Sequence, residues 1–122
     1  MLCSYLVGFC YHDPQGWTLH QAGIDDYESS SALFIEAQSQ EEAISWAEKV
    51  AEEFFQWVNG NEALDWKEMG YFCWLEEKPE SSSWSHCLNF FQKISVGSFP
   101  NYEAMTTESY IKWVAENGIK YT

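Results

Sequence analysis

The side chains able to do chemistry in this chain are three histidines, four cysteines and a large excess of carboxylates. A metal site needs several such ligands to converge. His12 and His20 flank the turn signal Asp13-Pro14-Gln15-Gly16 and could face each other across a hairpin, with Asp13, Asp25 and Asp26 close in sequence. His86 and Cys87 are adjacent, and neighbours along a strand point to opposite faces. No spacing matches a zinc pattern, so surface or partly buried histidines are the better reading and no metal or cofactor is expected. Cys10 and His12 would share a strand face and could form a thiolate–imidazole couple. Nothing beside them supplies an oxyanion hole, such as a glycine-rich turn before a helix, which favours a core cysteine next to a strand-end histidine. Asp25-Asp26 and Glu76-Glu77 offer paired carboxylates, but with nineteen Asp and Glu in the chain adjacent pairs arise by chance and belong in solvent. Neither a phosphate-binding nor a dinucleotide-binding glycine motif is present.

A more informative pattern is rings set among acids. Aromatic residues make up 18% of the chain, more than one small core needs, so some rings must be partly exposed. Asp25-Asp26-Tyr27-Glu28, Asp65-Trp66-Lys67-Glu68 and Trp74-Leu75-Glu76-Glu77 place a ring beside carboxylates, and Trp84 sits in a serine-rich loop. Carboxylates with an aromatic anchor can hold Lys or Arg by charge pairing and stacking. The competing reading, rings packed beneath a solvated acidic loop, carries equal weight. The expected partner-binding residues are Asp25, Asp26, Tyr27, Glu28, Trp74, Glu76, Glu77 and Trp84. The formal net charge of −13 disfavours nucleic acid and anionic membrane surfaces and favours a basic protein partner. Solubility alone is the alternative account of the acidity.

At 122 residues the chain has enough length for one core, and residues 1–122 are expected to form a single domain. Cys3, Cys10, Cys73 and Cys87 include no C-x-x-C pair. Cys3, Cys10 and Cys73 read as small core residues in strand-like contexts. Met1-Leu2-Cys3-Ser4-Tyr5 lacks a basic leader region and no apolar run approaches a membrane span, so a cytoplasmic protein with reduced thiols is expected.

These residues must be positioned by a β-β-β-α-β-β-α chain. Cys3 to His12 is apolar on both faces, with Tyr5, Val7, Phe9 and Tyr11 against Leu6, Gly8 and Cys10, as in a central strand. Trp17 to Gln21 alternates and reads as the return strand of a hairpin. Ala32 to Ala37 is a buried strand. Ser39 and Glu42 then have the spacing of a capping box. Ala43, Ala47, Val50, Phe54 and Val58 recur at helical spacing, flanked by Ile44, Ala51, Phe55 and Trp57, and Asn59-Gly60 supplies the stop. Glu62 to Met69 fits a short helix or a strand edge. Tyr71 to Glu76 reads as a strand, Glu77 to Ser85 as an exposed loop, and His86 to Val96 as a strand. Thr107 caps a last helix, Glu108 to Asn117, with Tyr110, Ile111, Trp113 and Val114 on its apolar face. The expected fold is α+β: an antiparallel sheet of about five strands, with one long and one short helix packed on one face, in a ferredoxin-like arrangement or a relative of it.

The stretch Phe34-Ile35-Glu36-Ala37-Gln38-Ser39-Gln40-Glu41-Glu42-Ala43 resembles a strand-to-helix junction of many small α+β bacterial proteins. As a small, acidic, tryptophan-rich, cysteine-containing α+β domain, the chain is similar in character to the immunity proteins of bacterial polymorphic toxins. That resemblance implies a non-enzymatic inhibitor that binds a basic toxin domain, and it assigns no individual residue. Other expectations differ in kind. A small ligand-binding or enzymatic domain would place its pocket near Cys10, His12 and His20. A self-associating domain would form a homodimer through an open sheet edge or an aromatic patch.

Overall fold

The computed structural model describes residues 2–11, 22–23, 29–68, 71–82 and 84–117. Strand β1, Cys3–Tyr11, has apolar residues on both faces and lies inside the sheet, where Leu6, Val7 and Phe9 are buried. It pairs antiparallel with β2, Ser29–Ala37, on one side and with β3, Cys73–Glu76, on the other. A short β4, Lys93–Ser95, pairs parallel with β2, giving the order β3-β1-β2-β4.

The sheet is therefore four-stranded and mixed among the described residues, not an antiparallel sheet of about five. The expected return strand Trp17–Gln21 lies outside the described residues. The expected strand His86–Val96 begins instead as 3-10 turns over Ser85–Phe90, kinked at Cys87, and only Lys93–Ser95 forms a strand, β4. Parallel pairing follows from connectivity. β2, β3 and β4 all run opposite to β1, so each link between them must cross a face of the sheet. The long helix makes the crossing from β2 to β3 on one face. Residues 77–92 make the crossing from β3 to β4 on the other. The parallel edge pair also departs from the all-antiparallel sheet of a ferredoxin-like arrangement.

The first face is covered by helix α1, Gln40–Asn59. Ser39 caps it: its Oγ accepts from the Glu42 amide at 3.2 Å, filling one of the orphan donors of the first turn. The Glu42 carboxylate reaches back one residue further than a simple capping box, to the Gln38 amide at 3.3 Å. Gly60, at φ 62°, ends the helix in the left-handed conformation, which costs glycine nothing. Ala43, Ala47, Val50, Ala51, Phe54 and Phe55 are buried against Val7, Phe9, Tyr11, Leu33 and Ile35. Trp66 is fully buried in the same cluster, and its Nε1 donates to the Cys10 carbonyl at 2.9 Å. Residues 61–68 form turns rather than a helix or strand, pinned by that indole.

The second face carries Leu6, Ala32, Cys87 and Phe91, with Phe34, Trp84, Leu88, Phe90, Tyr110 and Trp113 packed on them. Helix α2, Thr107–Glu116, belongs to this side through the contacts of Tyr110 and Trp113 with Phe90, at ring separations of 5.1 and 5.7 Å. The two helices thus lie on opposite faces, not on one. The cap of α2 is Thr106, which accepts from the Ser109 amide, one residue before the expected Thr107. Val114 is buried, whereas Ile111 is exposed rather than part of the apolar face. Between β4 and α2 the chain returns along α1: the Trp46 indole donates to the Ser98 carbonyl at 2.8 Å, and Tyr102 packs on Phe54 and Trp57. No described helix is long and apolar enough to cross a membrane.

Candidate functional site

On the second face, β1 presents Gly8 directly opposite Trp74 of β3. The missing side chain lets two indoles settle on the sheet. Trp74 and Trp84 stack with centroids 5.6 Å apart and planes 25° from parallel. A Cβ on residue 8 would stand 2.6 Å from Trp84 Cη2 and 2.7 Å from Trp74 Cε2, well inside the contact distance of carbon atoms. Phe91 meets Trp84 edge-on at 5.2 Å, and the exposed Phe72 extends the shelf at 5.8 Å from Trp74. Strand alternation puts Glu76 on the same face as Trp74, and the Trp74 Nε1 donates to Glu76 Oε1 at 3.0 Å. Glu77 follows and is exposed.

Of the residues expected to bind a partner, Trp74, Trp84 and Glu76 therefore meet at one place, with Glu77 at its margin. Both indoles remain half-buried, each with part of its surface open. A ring shelf with carboxylates at its edge can hold a cationic side chain. At the other edge of the sheet the chain's own Lys93 sets its Nζ over a ring in this way, 5.9 Å from the Phe34 centroid. Asp25, Asp26, Tyr27 and Glu28 lie outside the described residues. Trp66 behaves oppositely to its charged sequence context and is core.

The sequence expects a pocket near Cys10, His12 and His20. Cys10 is half-buried in β1, and His12 and His20 lie outside the described residues. One cavity, of about 280 Å³, opens between the end of β1, the start of β2 and the start of α2, against Tyr11, Ser31, Cys87, Phe91, Met105 and Tyr110. Burial pushes the Cys87 thiol up, opposed in part by a hydrogen bond with Tyr110, so it is a weak nucleophile. His86 Nε2 lies 3.1 Å from the Tyr110 hydroxyl. Burial, with Glu48 nearby, pushes the Cys73 thiol up to about 12. Cys3 is exposed rather than core, and all four cysteines are free thiols. No three His, Cys, Asp or Glu side chains converge as metal ligands among the described residues.

One concavity had no signal in the sequence. At the C-terminal end of α1, Trp57 and Tyr102 form two walls, with ring centroids 5.8 Å apart, and Glu53 and Glu62 line the same bowl. Helical spacing puts Glu53 and Trp57 together, but Tyr102 arrives from a distant segment that local periodicity cannot report. No protein-family model, curated protein or solved structure matches this chain.

Proposed function

We propose that this chain is a non-enzymatic binding domain for a basic protein, of the kind an immunity-type inhibitor of a basic toxin would be. The observation that carries this reading is the tryptophan pair fixed over Gly8 with Glu76 bonded to its edge. Rigid indoles lose little conformational entropy on binding, and half-buried aromatic anchors dominate interface energies. Trp74, Trp84 and Phe72 form the anchor; Glu76 and Glu77 form a charged rim. Asp25, Asp26, Tyr27 and Glu28 are proposed as further partner-binding residues on the strength of their sequence alone. A net charge of −13 steers a basic partner in and keeps copies of this chain apart.

The test is binding kinetics against a basic partner recovered from the host on the immobilised domain. Association should slow several-fold as salt rises from low to physiological. Glu76→Gln with Glu77→Gln should slow association further. Trp74→Ala should speed dissociation by about tenfold or more, and Phe72→Ala, at an exposed site, serves as the variant least able to disturb folding. Salt-independent association, with wild-type rates in all these variants, would remove the assignment. Association that strengthens with salt and occurs between copies of the chain would favour the homodimer reading instead.

A further inference from the structure

We infer that the bowl at the C-terminal end of α1 binds a guanidinium group, supplied by an arginine side chain of the basic partner proposed above. The inference rests on that reading only for the source of the arginine. The bowl holds about 780 Å³ and lies between the last turns of α1, residues 60–62 and Tyr102. Its walls are two rings at an interplanar angle of 47°, so a flat cation lying on one meets the other obliquely. Trp57 is 48% exposed, although Phe54 packs against it and fixes its orientation at 6.2 Å. An indole held on one side and open on the other is the surface a cation seeks.

Three sources of negative potential converge there. Glu53 is held in place, because the Tyr102 hydroxyl donates to its Oε2 at 3.2 Å. Burial and the Glu53 carboxylate raise the pKa of the phenol, so this donor keeps its proton across the working range. Glu62, which also lines the bowl, is exposed. The bowl also sits at the negative end of a twenty-residue helix with no basic residue in its last turn, where a cation is favoured and none is built in. Guanidinium suits the site better than ammonium. It is planar, sheds water more readily, stacks on an indole and can meet a carboxylate with two donors.

The experiment follows the Trp57 indole cross-peak in a nitrogen–proton correlation spectrum, assigned by its loss in Trp57→Phe. The probe is N-acetyl-arginine methylamide, with the citrulline analogue as its neutral twin. Saturable movement of the Trp57 signal with arginine and not with citrulline is expected. Glu53→Gln with Glu62→Gln should weaken the probe by about fivefold or more, in line with the loss of one half-buried and one exposed charge pair. Glu62→Gln alone, at a solvent-exposed position, should weaken it in the same direction if the double variant does not fold. Equal responses to arginine and citrulline, a still Trp57 signal, or wild-type affinity in the carboxylate variants would overturn the site. If the probe binds but Glu62→Gln leaves partner kinetics unchanged, the partner's arginine is the wrong source. If the probe binds while the Trp74 and Glu76 variants bind partner normally, the earlier reading fails and this one stands.

Discussion

Adding one methyl group at Gly8 should disturb the tryptophan shelf more than any surface substitution there. In Gly8→Ala the new Cβ would stand 2.6 Å from Trp84 and 2.7 Å from Trp74. Carbon atoms pack at about 3.5–4.0 Å, so the rings must retreat by roughly 1 Å. Both are constrained: Trp74 by its bond to Glu76, and Trp84 by its stack on Trp74 and its edge contact with Phe91. Overpacking of this kind costs about 1–3 kcal/mol, and a disrupted ring pair adds about 0.5–1.5 kcal/mol. Alanine recovers roughly 0.5–1 kcal/mol of the backbone entropy that glycine loses in a strand. The net expectation is a destabilisation of about 2 kcal/mol. Urea melts would measure it, with the exciton signal of the stacked indoles in circular dichroism as a local reporter. In a Trp84→Leu background the same substitution should cost about 1 kcal/mol less, because the clash is partly relieved. A Gly8→Ala protein with an unchanged or higher midpoint and an intact exciton signal would refute the close packing described.

Further expectations follow from other sites. Ser39→Ala should cost about 1 kcal/mol through the orphaned Glu42 amide, and an unchanged denaturation midpoint would mean that this contact carries no stability. Trp66→Phe leaves the Cys10 carbonyl without its indole donor and opens a gap in the core, at a cost of roughly 2–3 kcal/mol in the same melts; a loss under half that would show the indole to be dispensable. Alkylation of the native protein at neutral pH should label Cys3 first and Cys73 and Cys87 far more slowly, since burial raises both thiols; mass spectrometry that finds Cys73 or Cys87 labelled as fast as Cys3 would contradict their burial. The folded state holds the Cys73 proton up to about pH 12, against an ordinary value of 9.0. It therefore binds more protons than the unfolded chain in that window, and this contribution to stability is complete below about pH 9 and falls as pH rises towards 12. Cys73→Ala should flatten the decline, and parallel curves for the two proteins would exclude the thiol as its source.

Local signals made α1 legible. Ser39, the alternation of Ala43 to Val58 and the Asn59-Gly60 stop all act within a few residues, and the helix runs from Gln40 to Asn59 with Gly60 in the left-handed conformation. The central position of β1 was equally readable, because apolar residues on both faces leave no side for solvent. What failed depended on distance. In the 3-10 turns of Ser85–Phe90 it is the Phe90 ring that meets Phe91, Tyr110 and Trp113 on the second face, and over six residues strand and helix spacing look alike. Trp66, with charged neighbours on both sides, gives no hint that its indole will find the Cys10 carbonyl. Rings beside carboxylates single out Trp74, Glu76 and Glu77, and the serine-rich loop singles out Trp84, but in sequence the glycine that lets the two indoles stack is only one member of a strand face. The placement of α2 on the opposite face could not be read at all, since amphipathicity says that a helix has a buried side and not which side of a sheet it covers.

The parallel edge pair has a consequence for how the chain reaches its native state. β4 has three residues, and it joins Phe34 to Lys93 only after everything between them has crossed both faces of the sheet. Such a contact carries a large loop-closure cost and forms late. Until it forms, β2 presents an unpaired edge along Ala32-Leu33-Phe34-Ile35, an uncharged apolar run suited to intermolecular strand pairing. Two such intermediates each carry the same excess of negative charge, so their mutual repulsion guards the interval before β4 docks. That repulsion is expected to slow pairing between such intermediates. Its screening should appear as refolding yields that fall with added salt at a protein concentration where the native protein stays monomeric.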